Sequence, residues 1–306
     1  MIVTLAGGVG AARFLEGLVQ VVPPETITAI VNTGDDFELH GLHIAPDLDI
    51  VTCTLAGVID QVQGWGITDD SYACLEWLGR LGAPTWFNLG DRDLALHIQR
   101  TALLRAGHTL SQVVEQFRRA FGVTVRILPM SDQPVPTHVL TPAGELHFEE
   151  YFVQRRAADE VLGVRFAGVE QAAPAPGVPD AILEAETVIL APSNPIVSIG
   201  PILAVPGIRA ALRQTSAPVV AVSPIVGGAA IKGPAVPLMR AAGLEISAVG
   251  IAQTYRDLLD VLVIDQVDAA LKDAVEALGI RAIVTDTIMR GPTEKANLAR
   301  VALQHR

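Results

Sequence analysis

Cysteine is nearly absent: Cys53 and Cys74 are the whole complement. Two thiols make neither a disulfide framework nor, unaided, a zinc site. The expectation is two reduced cysteines in apolar surroundings, as in a cytoplasmic protein. Positive charge is also short, with 22 Lys and Arg against 33 Asp and Glu and a formal net charge of -11. That argues against nucleic acid as a partner, because phosphate neutralisation needs a basic surface. It leaves a phosphate ligand open, since backbone amides and one metal ion supply a local positive field. No apolar run reaches the ~20 residues of a membrane helix, and no membrane partner is expected. The apolar start, Met1-Ile2-Val3-Thr4-Leu5-Ala6, lacks a basic leader and runs into glycines, so it reads as a buried strand and not as a signal peptide. Two catalytic signatures are missing as well. The seven histidines form no His-Glu-x-x-His pattern, and there is no Gly-x-Ser-x-Gly elbow.

What is present is apolar and alternating. Half of the residues are hydrophobic and 18% are charged, the balance of a folded chain. Ile2–Leu5 reads as a strand, Ala11 to Val21 as a helix with Phe14, Leu15 and Leu18 on one face, and Thr26 to Val31 as a second strand. A polar loop from Asn32 to Asp49 is expected next. Strands at Val188–Leu190, Val219–Val222, Val261–Ile264 and Ala282–Thr285 then alternate with helices, which predicts right-handed βαβ units and a parallel sheet. Between them, residues 61–165 carry three helical stretches, short strands and all three tryptophans. The expected organisation is one α/β domain from 1–60 and 166–306, with 61–165 as a smaller inserted domain having its own core.

In an open parallel sheet, ligands sit outside the carboxyl ends of the strands, and the unusual motifs fall there. Gly7-Gly8-Val9-Gly10 follows the first strand and lets the backbone approach a phosphate. Arg13 and Asn32 stand where a dinucleotide site needs a small residue and an acid, which disfavours NAD. Asn32-Thr33-Gly34-Asp35-Asp36 and Pro46-Asp47-Leu48-Asp49 crowd four aspartates into one loop. Like charges at that density call for a cation or donors, and Asp oxygens suit Mg²⁺, which takes one or two carboxylates plus substrate phosphates. Solvated loop acids and helix caps are the competing reading, with Asp49 as a cap of a helix from Ile50. Asn88-Leu89-Gly90-Asp91-Arg92-Asp93 precedes a helix; taken alone, capping by Asp91 or Asp93 is the better reading, against Arg92 as a ligand anchor. Ser193-Asn194 and Ser223 to Gly233, which includes Gly227 and Lys232, are small-residue loops after two further strands.

Taken in order, these motifs resemble the 2-phospho-L-lactate transferases of coenzyme F420 biosynthesis. The likeness extends through Leu128-Pro129-Met130-Ser131-Asp132, Pro192-Ser193-Asn194-Pro195, Ser198-Ile199-Gly200-Pro201 and Lys232-Gly233-Pro234, over nearly the whole chain. The resemblance implies a Rossmann-like α/β fold, its mostly parallel sheet covered by helices on both faces, with a smaller inserted α+β domain. It implies joining the deazaflavin Fo to a guanylylated diphosphate donor, with Mg²⁺, to give F420-0 and GMP. By matching position, Asp49, Arg92 and Asp91 fall in the deazaflavin site, and Asp35, Asp36 and Asp47 at the metal. Gly7, Gly8, Gly10, Ser193, Asn194, Ser223, Gly227, Lys232 and Gly233 fall at the nucleotide and its diphosphate. Asp49 and Asp35 are the catalytic candidates. Ile50 and Ala45 depart from the family's usual Thr and Ser. A regulatory nucleotide-sugar-binding protein of the related gluconeogenesis-factor type shares the glycine turn and paired aspartates, but the Phe37-Glu38-Leu39-His40-Gly41 that follows favours the transferase. The acid on the donor stays open, and the apolar insertion is as compatible with an ordinary core as with a homodimer interface.

Overall fold

The computed structural model describes residues 1–231 and 233–304. β1 (Ile2–Ala6) turns into α1 (Gly8–Leu18), and β2 (Ile27–Val31) follows. β3 (Phe37–Leu39) and β4 (Leu42–Ile44) form an antiparallel hairpin that leads into α2 (Pro46–Leu55). Next come α3 (Ala73–Arg80), α4 (Asp91–Arg105), α5 (Leu110–Ala120), β5 (Arg126–Pro129), β6 (Thr137–Thr141), β7 (Gly144–His147) and β8 (Gly163–Phe166). The remainder alternates through α6 (Val178–Leu183), β9 (Thr187–Leu190), α7 (Ile199–Ala204), α8 (Ile208–Gln214) and β10 (Val219–Val222). A hairpin of β11 (Ile225–Val226) and β12 (Ala229–Ala230) precedes α9 (Ala235–Ala241) and α10 (Ala248–Thr254). β13 (Val261–Asp265), α11 (Lys272–Glu276), β14 (Arg281–Thr285) and α12 (Pro292–Leu303) follow.

Among the described residues, seven parallel strands form the main sheet in the order β14-β13-β10-β9-β1-β2-β5. β1, β2, β9, β10 and β13 are buried at every position. Unbroken apolar runs are what a strand needs when both its faces are covered. On one face Val3, Leu5 and Ile30 pack with Ile182, Ile202 and Ile208 of α6 to α8. On the other, Ile2, Ile27 and Val31 pack with Phe14 and Leu18 of α1, Val51 of α2 and Leu298 of α12. This is the α/β sheet with helices on both faces that was expected. β2 and β5 lie to one side of β1 and the four later strands to the other. The order therefore reverses at β1 and β9, and the carboxyl ends of those strands mark the ligand crevice.

Three expectations need correction. Residues 61–165 do not fold apart from the sheet, because β5 pairs with β2 at its edge. Val125 and Ile127 pack with Leu110 and Val114 in the same cluster as α1. The tryptophans build no core of their own: Trp77 is 59% exposed, and Trp86 packs beside Leu39 and Ile44 of the β3–β4 hairpin. The small sheet, β7-β6-β8, runs past residue 165 to Phe166. α2 begins at Pro46 and not at Ile50. Proline fits a first helical turn, and Asp47 and Asp49 then lie in that turn, where the helix dipole favours acids. α1 starts at Gly8 and not at Ala11, so only Gly7 and the positive-φ Gly8 (+69°) make the bend, and Gly10 already lies inside the helix.

Candidate active site

Asn32, at the end of β2, is where three loops meet. Its side-chain amide donates to Asp47 Oδ2 at 2.9 Å and to the Val197 carbonyl at 3.2 Å, while its Oδ1 accepts from Gly34 N–H at 2.8 Å. Asp47 Oδ1 accepts from Gly8 N–H at 2.7 Å. The loops after β1, β2 and β9 and the first turn of α2 are thereby tied at the strand-order reversal. The approach is close: a Cβ on Gly7 would lie 2.8 Å from both Asp47 Oδ2 and Ser198 Cβ, and one on Gly10 would lie 2.3 Å from the Pro192 carbonyl oxygen. Gly10 thus serves the packing of α1 on the β9 loop. The N–H of Gly8 is taken up by the Asp47 carboxylate.

The electrostatics of this rim are unbalanced. Asp35, Asp47 and Glu149 are each less than a tenth exposed. Burial pushes Asp47 up to about 7, against the Asn32 and Gly8 hydrogen bonds that favour its charged form. Burial, and then Asp47, push Glu149 up to about 8. Asp35 is raised well above the usual carboxylate range by burial, with Asp47 and Glu149 adding to it. Asp36 is raised by burial and partly relieved by His43, whose Nε2 lies 3.0 Å from Asp36 Oδ2. Asp35 Oδ1 and Asp36 Oδ1 are buried without a hydrogen-bond partner. Orphaned acceptors of this kind cost free energy unless a donor or a cation arrives. The donor set fits a hard divalent cation that takes one or two carboxylates and completes its shell with phosphate oxygens. No group of three or more acidic, His or Cys side chains among the described residues forms a ready-made metal cage.

His147 links two of these acids. Its Nε2 donates to the Asp36 carbonyl at 3.2 Å, and its Nδ1 accepts from Glu149 N–H at 3.2 Å. This fixes one neutral tautomer, and burial holds its pKa down at about 4. Beside Asp36, Phe37 stacks on Trp86 with centroids 5.7 Å apart, meets Phe87 edge-on at 5.0 Å and lies 5.4 Å from the His147 ring. These half-buried rings offer a flat apolar face next to acidic groups.

Asp49 is held from α4. Its Oδ1 accepts from Arg100 Nη2, its Oδ2 lies 3.6 Å from His97 Nδ1, and that Oδ2 is buried without a hydrogen bond. Asp49 is therefore no loop acid and no cap for Ile50. Burial pushes His97 down to about 4, so its Nδ1 is free to accept from Arg100 Nη1 at 3.1 Å. Asp93, on the same helix, is raised to about 6 by burial.

Other sequence candidates sit elsewhere or carry other duties. Asp91 takes the hydrogen bonds of Ser71 Oγ and of the Ala73 and Cys74 N–H groups, so it caps α3; the Ser71 contact, first, lowers its pKa. Arg92 is exposed and donates to the Thr68 carbonyl at 2.6 Å. Ser193 Oγ donates to the Gly7 carbonyl at 2.8 Å, and Asn194 Oδ1 accepts from Ile196 N–H at 2.9 Å, so both shape the β9 loop within the shared rim. The β10 loop lies one strand beyond β9 on the same edge. There Ser223 closes its own turn with Ile225, and the Gly227 N–H is taken by Asp268 Oδ2 at 3.0 Å. Gly233 is exposed, and Lys232 lies outside the described residues. Sequence reasoning passed over Asn32 as a hub, considered His43, His97 and His147 only as unlikely zinc ligands, and did not single out Arg100 or Glu149. One local signal was on α4, where polar His97 and Arg100 share a buried face with Leu94. Buried polar residues on a helix are the informative exception. Another was the His147-Phe148-Glu149 spacing, whose two ends the structure joins by a hydrogen bond.

The fold and this rim together define an α/β protein with a crevice of buried acidic side chains at the reversal point of its parallel sheet. Comparison with known proteins narrows the class. The family model for the 2-phospho-L-lactate transferase CofD matches residues 2–296. The chain belongs to this transferase family. A phosphoenolpyruvate transferase of Streptomyces griseus is 48% identical over 99% of this chain and 97% of its own length. A 2-phospho-L-lactate transferase of Methanothermobacter thermautotrophicus is 45% identical over 99% and 97%. Among solved structures, a UPF0052-family protein of Bacillus halodurans superimposes with a TM-score of 0.66 over 99% of this chain and 98% of its own; at 16% identity it speaks for the fold alone. Among the described residues no helix is long and apolar enough to cross a membrane.

Proposed function

We propose that the protein transfers a phosphorylated three-carbon acid from a guanylylated diphosphate donor to the terminal ribityl hydroxyl of the deazaflavin Fo, releasing GMP in coenzyme F420 biosynthesis. The observation that carries this reading is the set of buried carboxylates, Asp35, Asp36 and Asp47, two of them with orphaned oxygens, at the reversal point of the sheet. In the reaction, the Fo hydroxyl oxygen forms a bond to the phosphorus nearer the acid. The bond from that phosphorus to the bridging oxygen breaks, GMP leaves with both bonding electrons, and the hydroxyl proton passes to Asp49 or to the departing GMP phosphate. Such in-line transfers need mainly positioning and charge neutralisation. Mg²⁺, when bound at Asp35, Asp36 and Asp47, supplies charge neutralisation at the diphosphate.

The chain's own residues do the rest. Asp49 Oδ2 accepts the hydrogen bond of the attacking hydroxyl and orients it. Gly7 and the β9 loop bring backbone close to the donor phosphates. The Phe37–Trp86 face receives the planar deazaflavin ring. Enolpyruvate is the first donor acid to try, because relatives named phosphoenolpyruvate transferase reach 48% identity and those named 2-phospho-L-lactate transferase reach 45%. The test mixes protein, Mg²⁺ and Fo with each guanylylated donor and follows GMP and product mass. Equal amounts of GMP and an Fo-derived phosphodiester support the reading. Tight UDP-sugar binding with no turnover of Fo overturns it.

A further inference from the structure

We propose that Arg100 is the positioning residue of the acceptor half of this site, acting through Asp49. The inference rests on reading Asp49 as the group that orients the acceptor hydroxyl. Arg100 is 2% exposed, and a fully buried arginine is rare unless its charge is paired. Its guanidinium bonds Asp49 Oδ1, the His43 carbonyl at 3.1 Å and His97 Nδ1 at 3.1 Å, with the Phe117 ring centroid 5.6 Å away. A planar fork of fixed donors can hold three acceptors in one geometry, which the point charge of a lysine cannot.

Two features separate this arrangement from an ordinary packing pair. First, the fork uses only one oxygen of Asp49. Oδ2 stays buried and unbonded, with His97 Nδ1 at 3.6 Å already accepting from Arg100. Buried carboxylates in a finished core satisfy both oxygens; this one keeps an acceptor in reserve at a fixed orientation. Second, Arg100 holds the backbone carbonyl of His43, whose imidazole lies 3.0 Å from Asp36. One guanidinium thus sets the spacing between the acceptor carboxylate on α2 and the diphosphate-side carboxylate beyond β2.

The test is a double-mutant cycle on the full chain. kcat and the KM for Fo are measured for Asp49→Asn, Arg100→Met, Arg100→Lys and the Asp49→Asn/Arg100→Met double variant. Arg105→Ala is the control: Arg105 also ties α4 to the hairpin, through the Gly41 carbonyl at 2.8 Å, without touching Asp49. Loss of such a supporting contact costs about 10–100-fold in activity, so Arg100→Met should lower kcat by that factor. The double variant should be no slower than Asp49→Asn, because residues acting as a unit are not additive. Arg100→Lys should keep the melting temperature better than Arg100→Met without regaining full kcat, and Arg105→Ala should leave kcat unchanged. The proposal is overturned if the two losses multiply, if Arg100→Lys turns over like the wild type, or if Arg105→Ala falls as far as Arg100→Met. Should Arg100→Met fail to fold, Arg100→Lys and its double with Asp49→Asn give the same comparison. A wild type that makes no GMP overturns the functional reading itself, and this inference with it.

Discussion

Asp47 shows how much one side chain is asked to do. It occupies the Gly8 N–H and the Asn32 amide at once, on the first turn of a helix, and burial raises its pKa to about 7. Under the proposed reaction, a donor phosphate at α1 would compete with it for the Gly8 N–H, and a cation would relieve its charge. Asp49 is different, since an arginine already compensates it. If its free oxygen orients the attacking hydroxyl, Asp49→Asn lowers kcat by up to about 10²–10⁴-fold with a smaller change in the KM for Fo. Steady-state kinetics with Fo as the varied substrate reads this, and equal loss in both parameters counts against the role. Gly10 supplies a test of packing. A methyl there would meet the Pro192 carbonyl at 2.3 Å, and overpacking of this kind costs about 1–3 kcal/mol. Gly10→Ala should therefore shift the urea midpoint down by a corresponding amount, whereas a purely ligand-facing glycine would leave unliganded stability unchanged.

Elements in the α/β rhythm were legible in the sequence because their signals are local. Val219–Val222 is a strand at the expected bounds, and Thr187–Leu190, Val261–Asp265 and Arg281–Thr285 differ from expectation only by an end residue. The first turn of α2 was missed because Pro46-Asp47-Leu48-Asp49 reads as loop chemistry. Its helical state follows from proline at N1 and acids against the helix dipole. The edge strand β5 was recognised as a strand but assigned to the insertion, since nothing in Arg126–Pro129 says that β2 is its partner. At the site, Asp35, Asp36, Asp47 and Asp49 were visible as a crowded group. Arg100, His147 and Glu149 come from elsewhere along the chain, and only tertiary folding brings them in.

Asp91 has a duty at this same scale. Asp91 caps α3, and Asp70 reciprocally accepts the Arg92 N–H at 2.9 Å to cap α4. Asp91→Ala should lower the melting temperature and leave the KM for Fo unchanged. A raised KM at an unchanged melting temperature would instead restore Asp91 to the deazaflavin site.

At the scale of the whole molecule, a parallel sheet buried on both faces supports a rim that is itself poorly compensated. Asp47 and Glu149 have folded pKa values of about 7 and about 8, above the ~4 of an unfolded carboxylate. The folded chain then keeps protons that the unfolded chain has released. Their contribution is full below the unfolded pKa, and the cation-free protein loses stability as pH rises from about 4 to about 8. If Mg²⁺ binds at Asp35, Asp36 and Asp47 as proposed, it displaces the Asp47 proton and should raise the melting temperature more at about pH 8 than at about pH 6. At ~100 times its dissociation constant it adds about 2.7 kcal/mol, and thermal melts with and without EDTA read the difference.

The claim on which the rest depends is that Asp35, Asp36 and Asp47 share a divalent cation with the donor's diphosphate. Pulsed electron paramagnetic resonance of Mn²⁺ with the protein and guanylylated donor tests it most directly. The account predicts one bound Mn²⁺ with phosphorus hyperfine coupling in the wild type, and loss of that signal in Asp35→Asn. Mn²⁺ bound equally well by both, or bound without phosphorus coupling, would contradict it.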